Sequence, residues 1–127
     1  MRSRQWPRAA VAPLDQRIQT DAFHELPLRE RRLALETMGK LDRTRAETLA
    51  IGLLQKQQLF RSDAVEHTRS IAADFLSTSE SQEVLDALTK ASKSRFYASS
   101  ELRVTAKRAA DTVFQRRSLI PPPKGKS

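Results

Sequence analysis

Few side chains in this sequence could do acid–base or metal chemistry. The only imidazoles are His24 and His67. His24 precedes Glu25, as in the H-E-x-x-H zinc motif, but the position of the second histidine is occupied by Leu28. His67 lies between Glu66 and Thr68 with no imidazole one helical turn away. A catalytic histidine also needs a third group to orient it, and none can be named from spacing alone. There is no Cys, so disulfides, thiol catalysis and cysteine-ligated metals are excluded. With three Gly there is no Gly-rich phosphate loop, and no G-x-S-x-G turn is present. Glu80 with Glu83, and Asp15 with Asp21, fall near expected helix starts, where the macrodipole accounts for acids. These residues point to a non-enzymatic protein without metal or cofactor.

Binding chemistry is better represented. Lys and Arg number 23 against 15 acids, a net charge of +8. Such a balance favours nucleic acid or acidic partners. The excess is unevenly placed: +3 in residues 1–13, none in 14–100, +3 in 101–117 and +2 in 118–127. Arg103, Lys107, Arg108, Arg116 and Arg117 are the candidate contacts for a phosphate backbone or an acidic protein, and a recognition helix would gather them on one face. Lys93, Arg95, Phe96 and Tyr97 mix bases with rings, as stacking platforms do; Phe96 is assigned to the core and Tyr97 to its edge. Trp6, the only Trp, is a candidate aromatic contact, docked on the body or anchoring a partner. The run Arg29, Glu30, Arg31, Arg32 reads as a solvated helix face or a phosphate contact. Ile120 to Lys124 forms a short polyproline segment with a basic end.

Helices must position these groups. Leu14, Ile18, Phe23 and Leu26 predict a short helix stopped by Pro27. Leu28, Leu33, Leu35 and Met38 predict a second, ending at Gly39. Asp42 or Thr44 caps a third, with Thr44 and Glu47 as a capping box, carrying Ala46, Leu49, Ala50, Leu53 and Leu54, then Leu59 and Phe60. After Ser62 and Asp63, Val65, Thr68, Ile71, Ala72, Phe75 and Leu76 form one stripe. Ser79 and Gln82 suggest another capping box before Val84, Leu85, Leu88 and Ala91. A break near Ser99 is favoured, because one uninterrupted helix would place Ser92, Arg95 and Ser99 in its seam. Leu102, Ala106, Ala109, Val113 and Phe114 make the last stripe, with Arg103, Lys107 and Ala110 to one side. No segment alternates with period two, so no strand is expected.

An offset of 37 residues aligns Ala50 with Ala87, Ser62 with Ser99, Ala72 and Ala73 with Ala109 and Ala110, and Leu76 with Val113. The pattern is helix, turn, helix, twice, as a duplication or a chance match between amphipathic helices of similar composition would give.

The sequence therefore predicts an all-α protein: a helical bundle or two stacked hairpins, preceded by two short helices. Residues 14–117 would form the domain, and residues 1–13 and 118–127 disordered basic tails. Pro7 and Pro13 should break any helix in the first tail, which also argues against a presequence. No segment is long and apolar enough to span a membrane, and a cytoplasmic location is expected. The expected role is that of an interaction or adaptor protein binding another protein, or its own copy, through an apolar helix face. The alternative is a nucleic-acid-binding accessory protein using the last helix and tails.

Overall fold

Apolar residues at helical spacing, Ala–Ala pairs and serine or aspartate caps build six α-helices and one 3-10 turn among the described residues. The computed structural model describes residues 7–56, 62–94 and 98–119, with side chains from Val11 onward. The helices are α1 (Pro7–Ile18), α2 (Leu28–Leu41), α3 (Arg43–Leu54), α4 (Asp63–Leu76), α5 (Gln82–Ser92) and α6 (Ser100–Ser118); the 3-10 turn spans Asp21–Glu25. No strand occurs among the described residues. Trp6, Leu59, Phe60, Phe96, Tyr97 and the Pro121 to Pro123 run lie outside them.

The all-α expectation holds, as does the break before α6. Ser99 is the N-cap, accepting from Leu102 N–H at 3.1 Å. α3 packs on α4 and α5 on α6; the two hairpins meet where α4 touches α6 and α3 touches α5. α1 and α2 pack along one side.

The 37-residue offset maps structure onto structure. Ser62 and Ser99 are the N-caps of α4 and α6. Ala50, Ala72, Ala73 and Leu76 are buried, and so are their counterparts Ala87, Ala109, Ala110 and Val113. Alanine at these positions lets paired helix backbones approach closely, and leucine and valine fill the remaining space. Met38, Leu35, Leu54, Leu88 and Leu102 complete a single core, closed at the amino end by Ile18 and Phe23.

Several local expectations are corrected. Pro7 and Pro13 do not break the first helix, which crosses the expected boundary at residue 13. Proline fits the first helical position, and Pro13 forfeits one backbone bond on an exposed turn while Val11, Leu14 and Ile18 pack against the core. The segment from Leu14 to Leu26 is two elements rather than one, since α1 ends at Ile18. Gly39 lies inside α2, which ends at Leu41 before the Asp42 cap. A Cβ on Gly39 would stand 3.2 Å from Phe75 Cζ, so this glycine admits an aromatic ring instead of ending a helix.

Thr44 is not a cap; Asp42 accepts from Arg45 N–H at 3.1 Å. Ser81 rather than Ser79 caps α5. Leu28 and Leu33, placed with Leu35 and Met38 by periodicity, are 47% and 58% exposed. Phe114 is 61% exposed, although it belongs to the predicted stripe of α6, whereas Ala110 is buried.

Candidate functional site

The five bases of the last helix do not form one surface. α6 buries Leu102, Ala106, Ala109, Ala110 and Val113. At about 100° per residue, Arg103 and Lys107 fall on one flank of that stripe and Arg108 on the other. Lys107 stands 3.6 Å from Asp111, both exposed. Arg116 Nη2 donates to Ser77 O at 3.4 Å, and Arg117 Nη1 to Glu80 O at 2.7 Å. These two guanidinium groups fasten the end of α6 to the α4–α5 connection. Arg103 and Arg116 each keep a buried Nε without a hydrogen-bond partner among the described residues. The remaining candidates, Trp6 and Tyr97, lie outside the described residues.

Arg108 opens instead onto a groove between the start of α2, the middle of α4 and the first turns of α6. The groove encloses about 560 Å³. Leu28 and Val104 border it, 47% and 58% exposed. Arg32, His67 and Arg108 supply basic side chains, and Glu101 is the only acid lining it among the described residues. Arg32 is shared with Asp74 at 3.4 Å, a pair exposed on both sides. The groove also brings Ser70 and Ser100 near His67. No hydrogen bond joins His67 to a hydroxyl or carboxylate among the described residues.

The other histidine is buried. His24 is 5% exposed, and its Nδ1 lies 2.9 Å from Thr68 Oγ1. Arg31 reaches the same hydroxyl with Nη1 at 3.0 Å. Arg31 also donates from Nη1 to Ala64 O at 3.0 Å and from Nε to Leu26 O at 2.7 Å. Burial, then the nearby charges of Lys56 and Arg31, hold the His24 imidazole below its ordinary range, outweighing Asp21 and Glu25.

Arg31 is only 6% exposed, so this member of the 29–32 charge run is no solvated side chain. Its position on the inner side of α2, one turn before Leu35, was the only sequence sign of this. Thr68 carried a clearer one, as a hydroxyl inside an otherwise apolar stripe. The group that orients His24 is thus 44 residues away and invisible to local spacing.

A second buried polar cluster braces the hairpin ends. Arg69 Nη1 lies 2.7 Å from Glu66 Oε2, and Arg69 Nε donates to Leu54 O at 2.9 Å. Glu66 Oε1 accepts the Ser99 N–H at 3.0 Å. Near the surface, Arg43 stands over the Phe75 ring at 4.6 Å and donates to Glu47 and Thr78. Arg45 clamps Asp15 with two donors, tying α1 to α3.

Among the described residues no group of three His, Cys, Asp or Glu is placed to hold a metal ion, and no helix is long and apolar enough to cross a membrane. No family model, curated protein or solved structure matches the chain.

Proposed function

We propose that this chain is a non-catalytic interaction module that holds an acidic, amphipathic helical segment of another protein in the groove between α2, α4 and α6. The observation carrying this reading is that Leu28 and Val104, both about half exposed, line the same groove as Arg32 and Arg108. Full burial of such side chains is worth about 1.5–3 kcal/mol each, so two half-exposed ones offer a modest anchor. The basic rim supports an acidic partner through complementarity, which acts mainly on specificity and on-rate. The division of the α6 bases between two flanks, with Arg116 and Arg117 bonded to backbone carbonyls, favours this reading over a nucleic-acid surface.

A labelled helical peptide with leucines at i, i+3, i+4 and i+7 and glutamates on either side tests the chemistry by fluorescence anisotropy. The expected result is saturable binding, weakened at least about tenfold by Val104→Glu, the loss of one anchor and the addition of a like charge. Leu33→Glu, on the opposite side of α2, should leave it unchanged. Equal affinity for both variants and the parent chain would count against the groove. Binding of duplex DNA in preference to the peptide would replace this reading with the nucleic-acid one.

A further inference from the structure

The groove does not end at Arg32. A second opening of about 350 Å³ lies further along α2 and α4, and Arg32 borders both. On α2, Leu28 and Arg32 border the first opening, and Arg32, Glu36 and Gly39 the second. On α4, His67 and Ser70 border the first, and Asp74 and Thr78 the second. Each of these sets falls within about 80° of its helix circumference, so the two openings form one track along helices that run in the same direction. From Leu28 to Gly39 the track covers about three turns, or about 16 Å.

The second opening has an anchor of its own. Phe75 is half-buried, and its ring lies against Gly39, 3.2 Å from where a Cβ would stand. Arg43 stands over that ring at 4.6 Å. Its Nε and Nη2 reach Glu47 and Thr78, and its Nη1 lies 3.7 Å from the same Cβ position. Lys40 borders the opening, is exposed, and enters no ion pair among the described residues. Where the two openings meet, Arg32 and Asp74 pair at 3.4 Å. Beyond that pair the second opening has Lys40 and Arg43 against Glu36. An apolar ring with an excess of base is thus repeated one track length away from Leu28.

We propose that the partner helix runs on past the Arg32–Asp74 pair and sets a second apolar side chain against Phe75, with acidic residues at that end for Lys40 and Arg43. The inference rests on the reading of the first opening as a helix-binding groove. It makes the partner a helix with two apolar anchors about three turns apart, neutral where it crosses Arg32 and Asp74.

The test uses fluorescence anisotropy on the full chain with peptides of two lengths. The short one is the leucine and glutamate helix that fits the first opening. Two longer ones extend it by about two turns, at the amino or the carboxyl end, with one further leucine in the stripe and two glutamates at the tip. One of the two should bind at least about tenfold more tightly than the short peptide, from the added anchor and charges. Lysines at the same tip should remove that gain. Lys40→Glu should weaken the longer peptide about fivefold, by loss of an exposed ion pair and addition of a like charge. It should leave the short peptide unchanged, which also shows the variant to be folded. The proposal is overturned if neither extension gains affinity, if the lysine tip gains as much, or if Lys40→Glu weakens both lengths equally. Binding of the short peptide without a gain on extension removes the second anchor and leaves the groove reading intact. Failure of all the peptides removes both.

Discussion

Glu66 and Arg69, three residues apart on α4, form an ion pair at 2.7 Å with side chains only 10% and 5% exposed. The pair does more than neutralise itself. Arg69 satisfies the end of α3 at Leu54 O, and Glu66 receives the backbone N–H of Ser99, the residue that caps α6. Orphan groups at two helix termini are thus met by one side-chain pair in the second hairpin partner. Removing one member leaves a buried charge. Glu66→Leu is therefore expected to cost about 3–5 kcal/mol, read as a lowered urea midpoint. Glu66→Leu combined with Arg69→Met should recover much of that loss, because the stranded charge goes with its partner.

The same carboxylate gives stability a pH dependence. Burial alone would raise Glu66, but the Ser99 N–H, Arg69 and the Ser99 hydroxyl together hold it below the ordinary 4.5. Asp15, bonded by Arg45, is also held below its ordinary value of 3.8 despite partial burial. A depressed folded value means stability is full above the ordinary value and is lost as pH falls through the folded one. Denaturant titrations below about pH 4.5 should show a declining midpoint, and Glu66→Gln with Asp15→Asn should flatten that decline.

His24 acts in a higher window. Its folded value lies below the ordinary 6.5, so the unfolded chain takes up its proton first as pH falls. Stability should decrease on going from pH 7.5 towards 5, and His24→Asn should reduce that slope whatever its effect at neutral pH. Thr68→Val removes the hydroxyl on which His24 and Arg31 converge and should cost about 1–3 kcal/mol through an unmet buried donor. Thr105→Val, at the corresponding position of the second hairpin and half-buried, should change stability by less than about 0.5 kcal/mol. Equal losses at the two sites would remove the network from the account.

The architecture was legible because the apolar spacing in α3 and α4 is strong. Of the seven positions named for the third helix, the five within α3 are buried and Leu59 and Phe60 lie outside the described residues; five of the six in the α4 stripe are buried, and Phe75 is half-buried. What periodicity could not supply was the side of a helix on which a neighbour lies. On α2 Leu28 lies near Leu35 by period but Leu33 falls about 160° away, while Arg31 lies between Leu35 and Met38, and tertiary packing takes Arg31 inside and leaves both leucines out. The Arg31 guanidinium is tolerated there because backbone carbonyls of the preceding turn and of α4 receive it. The groove suffered from the same gap: Leu28, Arg32, His67 and Val104 come from three helices and have no common spacing. The Pro13 misreading has another cause, since a proline penalty of about 3 kcal/mol is local and can be outweighed by docking of the whole helix.

Two glycines inside helices should respond differently to a methyl group. Gly52→Ala adds a Cβ that meets nothing and relieves backbone entropy, so stability should rise by about 0.5–1 kcal/mol. Gly39→Ala gains the same propensity but must displace the Phe75 ring, which also carries Arg43, by a few tenths of an ångström. Its gain should be smaller or negative, and Gly39→Val should be clearly destabilising in a thermal melt.

The central claim, that the groove of Leu28 and Val104 receives a protein partner, is tested most directly by photocrosslinking in cells that make the protein. A photoreactive phenylalanine analogue is placed at Val104 in one protein and at Leu33 in another, both positions being 58% exposed. The account predicts a discrete protein adduct at Val104, absent at Leu33, and lost when Arg32 and Arg108 are both changed to Glu. Identical labelling at the two positions, or no adduct at Val104, would contradict it.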